Sequence, residues 1–278
     1  MSYALPTAEI RTRVAEALVA HPSASRFVAL AVGTVDPLAD VARTVERQVF
    51  EESFALDAEV MAAEYGPYES GSLFFVVLDR ETGLPAGAAR VVDGGGKTLD
   101  DAPDLIGEDL STIVAAHGMY NGKIWDFATL AVLPDYRGGK SSLMVSSLLY
   151  RTFLNAGRRA GVRHVVAMLD HRAYRSIMLL GAPFKALLGS KPFDYLGSPA
   201  TRALYLDFPT VESSIAEQSG RLRRLGASFA GEIRARGLRR LITRRVASRI
   251  AAQIATGDGL DAHITLPALE RRRLLHRR

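Results

Sequence analysis

The sequence predicts a mixed α/β fold, with a central sheet covered by helices and a basic helical extension at the C-terminal end. Apolar segments with the spacing of strands alternate with amphipathic helical segments over residues 7–208. A strand, a glycine-rich basic loop and a long helix follow one another at residues 123–161. Residues 221–278 contain 15 Arg, no Lys and four acidic residues, a net charge of +11, whereas residues 1–220 have a net charge of −6.

The composition is that of a globular protein, because 48% of the 278 residues are hydrophobic and 23% are charged. The absence of cysteine excludes disulfides, thiolate zinc sites, iron–sulfur clusters and a cysteine nucleophile. The six histidines lack the spacing of metal ligands, so we expect no metal. No apolar run approaches the ~18 residues of a membrane-spanning helix, and the N-terminal residues do not resemble a secretory signal. We therefore expect a cytoplasmic protein.

The first half of the chain predicts two helices, one strand and a hairpin. Residues 7–20 have an apolar face at helical spacing, and residues 26–33 are a short apolar strand. Asp36-Pro37 is typical of a helix start, and the helix that it opens extends to about Phe54. Residues 72–92 form two apolar strands around a four-residue turn, which predicts a hairpin.

The second half repeats the alternation of strands and helices. After a glycine break at residues 94–96, we expect in order a helix at 104–116, a strand at 123–133, a loop at 134–140, a helix at 141–161, a strand at 162–169, a helix at 170–180 and a strand at 201–208. From residue 211 the pattern is helical. The sequence thus predicts a domain at 1–210 and a basic helical extension at 211–278.

The loop after the strand at 123–133 has the chemistry of an anion site. Backbone amides at a helix start are unpaired, and the helix dipole attracts phosphate there. Arg137 and Lys140 add positive charge. A nucleotide P-loop would place its first glycine at position 134, which is Pro134, so the sequence disfavours a nucleotide-hydrolysing site.

The same segment resembles the central element of the GNAT superfamily of N-acetyltransferases. Residues 132–138 match the pattern V-x-P-x-[YF]-R-G, and the helix that follows ends in small residues and Gly161 before the next strand. The resemblance extends over about residues 45–208. It implies a mixed, mostly antiparallel sheet flanked by helices, and acyltransferase activity with acyl-CoA or an acyl-phosphopantetheine arm as co-substrate. Lys140 and Ser142 depart from two small positions of the family pattern.

In that superfamily the end of the core strand and the loop after it bind the donor. The residues that fall at those positions, and are therefore implied as donor-binding, are Leu130, Val132, Arg137, Gly138, Gly139, Lys140, Ser141 and Ser142.

A second set of residues looks like the acyl-homoserine lactone synthases and long-chain N-acyl amino acid synthases. The matching segments are Arg47, Val49-Phe50-Glu51, Asp57, Ala88-Ala89-Arg90-Val91 and Trp125-Asp126-Phe127-Ala128. The likeness implies Asp126, Arg90 and Arg47 as the catalytic residues. It also implies a donor on coenzyme A or acyl-carrier protein, and a small-molecule amine as acceptor. Asp126 replaces the usual Glu, and Thr129 replaces an Arg that is usual in the lactone synthases.

Acyl transfer to an amine needs a base, and Asp126 can serve if its pKa is raised. The alternative is that Asp126 is a structural carboxylate paired with Arg90 or Arg47. Many GNAT enzymes protonate the departing thiolate with a Tyr four residues before a glycine, but that position is Ile177. Tyr174 and His171 are the nearest candidates for this role.

The basic extension has an apolar stripe at helical spacing over residues 221–254, with arginines between. Such a helix can lie on an anionic membrane, contact an acidic protein such as a carrier protein, or pack on the body with its arginines in water. Nucleic acid is disfavoured, because Phe229 is the only aromatic residue of that segment. An alternative function is therefore a catalytically inactive GNAT-like module that docks through this helix. The oligomeric state stays open.

Overall fold

The computed structural model describes residues 1–137, 139–228 and 247–254, with the side chains of 139–143 and 222–228 outside that description. The helices and strands are α1 (Thr7–Ala20), β1 (Phe27–Gly33), α2 (Pro37–Phe54), α3 (Ala58–Tyr65), β2 (Ser72–Asp79), β3 (Leu84–Asp93), α4 (Gly96–Ile106), α5 (Leu110–Ala116), β4 (Lys123–Val132), α6 (Gly139–Ala160), β5 (Val162–Leu169), α7 (His171–Leu179), β6 (Lys185–Ala186), β7 (Phe193–Tyr195), β8 (Ser198–Asp207) and α8 (Val211–Ser228). Residues 247–254 are also helical.

One sheet organises the described part of the chain. Its strand order is β1-β2-β3-β4-β5-β8-β6, and β7 pairs with β8 beside this path. The pair β4–β5 is parallel, and the remaining strand pairs described are antiparallel. The predicted mixed, mostly antiparallel sheet flanked by helices is confirmed.

Helices cover both faces of the sheet, and alternate residues along each strand belong to different cores. Trp125 and Phe127 of β4 pack in the core formed with α6, α7, α8 and residues 247–254. Ile124 lies on the opposite face, in a core with α4 and α5. On that opposite face α1 and α2 cover β1 to β3. Residues on one strand can therefore contribute to two separate environments.

Four helices begin at an aspartate whose carboxylate accepts hydrogen bonds from amides of the first turn. These N-caps are Asp36 of α2, Asp57 of α3, Asp109 of α5 and Asp170 of α7. The start predicted from Asp36-Pro37 is confirmed, and α2 ends at Phe54 as expected.

The glycine-rich segment before α4 is the main local difference from the predicted elements. A helix was expected from residue 104, but α4 begins at Gly96. Gly94 and Gly95 have φ of 87° and 88°, so they form a tight turn that leads directly into the helix. The segment 104–116 contains the end of α4 and the whole of α5, separated at Gly107.

Candidate active site

A cleft opens in the middle of the sheet, where β4 and β5 separate. The two strands pair from Lys123 opposite Val162 to Asp126 opposite Val166. Beyond Asp126, β4 continues to Val132 in register with β3 alone, and β5 continues to Leu169 in register with β8 alone. The facing edges of the two strands therefore carry main-chain N–H and C=O groups that no strand pairs. Asp126 stands at the apex of this cleft.

The β4 strand also changes its register against β3 just past the apex. Phe127 faces Val91 and Thr129 faces Arg90, so Ala128 is an extra residue on the β4 side. Such a bulge increases the local twist and turns the side chains that follow. It allows Phe127 and Leu130 to pack in the same core on the α6 side.

The loop after β4 brings the predicted donor-binding residues to one end of the cleft. Pro134–Tyr136 form a short 3-10 turn, and α6 begins at Gly139. The Arg137 Nε donates to the Val132 carbonyl at 2.7 Å, and its Nη1 lies 2.9 Å from Glu52 Oε2. Arg137 is exposed and held at this rim by both contacts.

The other donor-binding residues occupy the adjoining strand and helix start. Leu130 and Val132 are half-buried on β4 and pack against the α6-side core. Gly138 lies outside the described residues, as do the side chains of Lys140, Ser141 and Ser142, although their backbone and that of Gly139 belong to the first turn of α6. Their role in binding a donor stays a prediction.

Asp126 is buried on the α4 side of the sheet, opposite the face that carries Phe127. Its carboxylate accepts hydrogen bonds from Thr98 N at 2.9 Å and Thr98 Oγ1 at 2.8 Å. Burial, reinforced by the negative charge of Asp101, raises the pKa of Asp126 to about 7 despite these hydrogen bonds. Asp126 can therefore exchange a proton near neutral pH, which is the property that the sequence analysis required of a base.

The surroundings of Asp126 are acidic and polar. Lys97 Nζ lies 2.6 Å from Glu64 Oε2 and 3.0 Å from Asp101 Oδ2, and Tyr195 donates to that same Asp101 oxygen at 2.6 Å. The single lysine is thus shared between two carboxylates, with Asp126 nearby as a third. Such an environment favours a cationic group.

Arg90 lies in a second buried cluster on the same face of the sheet. Its Nη2 contacts Glu46 Oε2 at 2.6 Å and the Tyr3 hydroxyl at 2.9 Å. Its guanidinium also lies over the rings of Tyr65 and Phe74. Burial alone would lower the pKa of Arg90, but the charge of Glu46, the Tyr3 hydroxyl and the hydrogen bonds to both together raise it, so the arginine stays charged.

Two polar atoms on one side of this cluster have no hydrogen-bond partner among the described residues. Arg90 Nη1 and Glu69 Oε2 are buried, have no hydrogen bond among the described residues, and lie 3.9 Å apart. Thr129, at the position usually occupied by an arginine in the lactone synthases, donates its hydroxyl to Glu46 Oε1. The threonine therefore joins the Arg90–Glu46 pair.

Arg47 lies away from the other two predicted catalytic residues. It forms an ion pair with Glu51 one turn along α2, and its Nε donates to the Tyr3 carbonyl at 3.3 Å. The structure thus places Asp126 and Arg90 on one buried face of the sheet. Arg47 is half-exposed in the middle of α2, and among the described residues Tyr3 contacts both arginines.

Glu46 is the residue of this cluster that sequence reasoning missed. It falls on the inward face of α2, four residues after Ala42 and three before Val49, and has no exposed surface. A charged residue on the apolar face of a helix indicates a buried ion pair. The sequence does not predict its partner, because Arg90 and Glu46 are far apart in the chain.

On the opposite face of the sheet an apolar cavity adjoins the cleft. It contains about 460 Å³ of space outside any atom, part of it open to solvent. Its lining residues are Phe127, Tyr150, Phe153, Leu154, Ile177, Leu180, Ala182, Phe184, Leu206, Val211, Ile215 and Ile254. Phe127, which directly follows the apex residue Asp126, is the lining residue contributed by β4, so the cavity reaches the strand that borders the cleft.

Tyr150 carries the one hydroxyl group among these lining residues. Its ring stacks on Phe127 with centroids 6.4 Å apart, and burial raises the pKa of its phenol to about 12. A phenol with so high a pKa stays protonated at neutral pH. Because the hydroxyl has no hydrogen-bond partner in the described part of the chain, it is free to donate to a ligand oxygen.

The two candidate acids for the departing thiolate lie on α7. His171 is the first residue of the helix and is exposed, whereas Tyr174 is half-buried against the α6-side core. Either role stays a prediction.

The C-terminal extension is described in two pieces. Val211 and Ile215 of α8, together with Ala251 and Ile254 of the later helix, are buried in the same core as the sheet. Residues 229–246 and 255–278 lie outside the described residues, so a membrane surface or an acidic partner for residues 221–254 stays a prediction. Among the helices described, none is both long and apolar enough to cross a membrane. Within the same ranges, no three acidic or histidine side chains cluster as a metal site.

Comparison with solved structures identifies the fold. The chain is similar to FeeM, an N-acyl amino acid synthase from uncultured soil microbes, with a TM-score of 0.51 and 18% sequence identity over 68% of this chain and 94% of FeeM. The chain thus has the GNAT-like fold that the sequence resemblance implied. No protein-family model matches the sequence, and no curated protein is significantly similar to it.

Two further solved structures have lower TM-scores. TofI, solved in a ternary complex with an inhibitor and MTA, gives 0.47 at 14% identity over 69% of this chain and 96% of TofI. The CoA-dependent acyl-homoserine lactone synthase BjaI, solved with SAM and isopentyl-CoA, gives 0.40 at 16% identity over 70% of this chain and 89% of BjaI.

Proposed function

We propose that the protein is an N-acyltransferase that moves an acyl group from a phosphopantetheine thioester to an amine. The observation that carries this proposal is the separation of β4 from β5 beyond Asp126, directly beside an apolar cavity. A thioester donor needs a slot for its polar arm and dry space for its acyl chain, and the two adjoin at Phe127. The fold similarity to an N-acyl amino acid synthase supports the same class of reaction.

The donor arm fits the free edge of β4. Pantetheine contains two amide groups, which can pair with unpaired main-chain N–H and C=O groups as a neighbouring strand would. The phosphate end then reaches the start of α6, where unpaired amides and the helix dipole favour an anion and Arg137 supplies a cation. Coenzyme A and acyl-carrier protein present the same arm, so both are candidate donors.

The cavity favours an acyl chain longer than acetyl. Each buried methylene adds about 0.8 kcal/mol of binding energy, and apart from the Tyr150 hydroxyl the side chains that line the cavity are apolar. We therefore infer a medium- or long-chain donor.

The acceptor amine is proposed to approach the thioester from the Asp126 side of the sheet. The amine nitrogen attacks the thioester carbon, the C–N bond forms and the C–S bond breaks. The nitrogen loses a proton to Asp126, whose pKa of about 7 suits a base near neutral pH. The departing thiolate takes up one proton, which balances the proton that Asp126 received, so the products are an amide and a free thiol. The acidic surroundings of Asp126 suit a small cationic amine, which first releases its ammonium proton to solvent.

A thiol-release assay tests the proposal. Purified protein is mixed with acyl-CoA and acyl-carrier protein donors of two to sixteen carbons and with panels of amino acids and amines. Because the chain has no cysteine, a thiol reagent detects only the released donor thiol. We expect release that depends on both substrates and is faster with the longer chains.

The opposite result would support the non-catalytic alternative. If no donor releases thiol and none raises the melting temperature, the transferase proposal fails. Binding to anionic liposomes that disappears on removing residues 221–278 would then favour a docking module.

A further inference from the structure

The apolar cavity has one wall that comes from the extension and not from the core of the fold. Phe127, Phe153, Ile177 and Leu206 are contributed by the sheet and by the two helices α6 and α7 that pack on it. Ile254 is contributed by the 247–254 helix, and its side chain is 1% exposed. This helix therefore forms part of the cavity wall.

The 247–254 helix is fixed in place by specific polar contacts. Ser219 Oγ donates to the Ser248 carbonyl and Ser248 Oγ donates to the Ser219 carbonyl, both at 3.1 Å and both buried. At the other end, Arg151 Nη1 of α6 donates to the Ile254 carbonyl at 2.7 Å. This hydrogen bond holds the Ile254 backbone against α6.

The residues that line the cavity come from two groups of elements. Phe127 stands next to the apex of the cleft, where a thioester would react. Val211, Ile215 and Ile254 belong to α8 and the 247–254 helix, which take no part in the pairing of β4 or β5. A chain that enters beside Phe127 thus meets the C-terminal residues as the remaining wall.

We propose that the 247–254 helix is the end wall of the acyl-chain site and that Ile254 sets the longest chain that the protein accepts. This inference rests on the proposed transferase function. It assigns a specificity role to residues outside the sheet and its two covering helices. The occupant is the hydrocarbon chain of the donor, because the lining side chains are apolar apart from the Tyr150 hydroxyl.

Three full-length variants test the wall. Ile254→Ala enlarges the end of the cavity, and Ile254→Phe fills it. Ile250→Ala is the matched control, because Ile250 lies one turn earlier on the same helix and packs against the same core without lining the cavity. Rates of thiol release, as kcat/KM, are measured with acyl-CoA donors of even chain length from four to sixteen carbons.

We expect the preferred chain to lengthen in Ile254→Ala and to shorten in Ile254→Phe. The ratio of kcat/KM between the wild-type optimum and the donor two carbons longer should change by roughly 10-fold, upward in the first variant and downward in the second. Ile250→Ala should keep the wild-type profile within about 2-fold. If Ile254→Ala does not fold, Ile254→Val removes one methylene and should give a smaller shift in the same direction.

A binding measurement separates this inference from the proposed function. The fluorescent fatty acid cis-parinaric acid is bound to each protein and displaced by free fatty acids of graded length, which needs no catalysis. If wild-type protein releases no thiol but the displacement profile shifts with Ile254, the transferase proposal fails and the end wall stands. An active enzyme whose length profile is unchanged by both Ile254 variants, or is changed equally by Ile250→Ala, overturns the end wall. Absence of both thiol release and probe binding overturns both.

Discussion

At the scale of single residues, the chemistry of the site depends on a carboxyl group in an unusual setting. Asp126 is buried at the point where two parallel strands stop pairing. Burial raises its pKa to about 7, although the hydrogen bonds from Thr98 act in the opposite direction. An exposed aspartate would be charged at all physiological pH values and would be a weak base.

The first prediction concerns the pH dependence of activity. The base form of Asp126 is the deprotonated form, so wild-type kcat/KM should rise with pH up to about 7 and then level off. Asp126→Asn should have about 10²- to 10⁴-fold lower activity at pH 8 and should not show the rise in kcat/KM that is due to Asp126. Any pH dependence that remains in the variant reports the titration of the amine itself. A wild-type profile shared by Asp126→Asn would refute the role of base.

The same group gives a readout that needs no substrate. The folded-state pKa of about 7 is above the usual aspartate value of 3.8, so the folded protein holds this proton more tightly than the unfolded chain. Its contribution to stability is complete below pH 4 and is lost as the pH rises to about 7. Relative to Asp126→Asn, wild-type protein should lose up to about 4 kcal/mol of unfolding free energy between pH 4 and 7, measured by urea unfolding.

A second prediction at this scale concerns Glu46. Glu46→Ala leaves the Arg90 charge buried without its main partner, so we expect a loss of about 3–5 kcal/mol in unfolding free energy. Glu51→Ala on the same helix breaks only the half-exposed pair with Arg47 and should cost less than about 1 kcal/mol. Equal losses in the two variants, measured by denaturant unfolding, would contradict a buried pair.

At the scale of secondary-structure elements, the position of α4 determines the environment of Asp126. A Cβ atom on Gly96 would lie 2.9 Å from Asp126 Oδ2 and 2.8 Å from Val92 Cβ, and the residue has a φ of 45°. The first residue of α4 therefore lies against β3 and β4 at a distance that only glycine permits. This close approach removes water from Asp126.

The third prediction compares the two ends of α4. Gly96→Ala introduces both backbone strain and the clash with Asp126, so we expect a loss of roughly 3 kcal/mol or more. Gly107→Ala at the C-terminal cap has a φ of 80° but nothing within 4 Å of the new Cβ, so only strain of about 1–2 kcal/mol is expected. The difference between their urea midpoints measures the contact. No difference would mean that α4 can move away from β4.

The same scale shows how far the sequence predicts the structure. The helices α1 and α2 and the β2–β3 hairpin were predictable, because apolar spacing, the Asp36 cap and a short turn agree with one another. The start of α4 was not, because its glycines suggest a break until their positive φ values are known. The two-residue strand β6 and the three-residue strand β7 are too short to give a periodic signal.

Part of the candidate site was predictable from local motifs. The family resemblance implied Asp126 and Arg90, and both are buried on one face of the sheet. The sequence did not identify Thr98, Glu46 and Ile254 as site residues. Each contacts residues that are far away in the sequence, and none belongs to a local motif. The separation of β4 and β5 is a property of strand pairing, which side-chain patterns do not encode.

At the scale of the whole molecule, the extension and the body share one core. Val211 and Ile215 of α8 and Ile254 of the later helix are buried with side chains from β4, β5 and α6. The predicted boundary at residue 210 stays a prediction, and the shared core gives a way to test it.

The fourth prediction is that a chain ending at residue 210 is less stable than one ending at residue 254. The shorter chain loses several buried side chains of about 1.5–3 kcal/mol each, so a loss on the order of 5 kcal/mol is expected. It should also bind a dye that reports exposed apolar surface, and the longer chain should unfold in a single transition. Equal stability of the two chains would show that residues 1–210 form a self-sufficient domain.

The parting of β4 and β5 gives the sheet two inner margins in addition to its outer ones. Outer margins of sheets invite other polypeptides to add a strand, and proteins must guard against the aggregation that follows. Each inner margin instead faces another strand of the same sheet, so main-chain N–H and C=O groups border the recess on both sides. An unbranched molecule with amides along its length has matching donors and acceptors for such a recess.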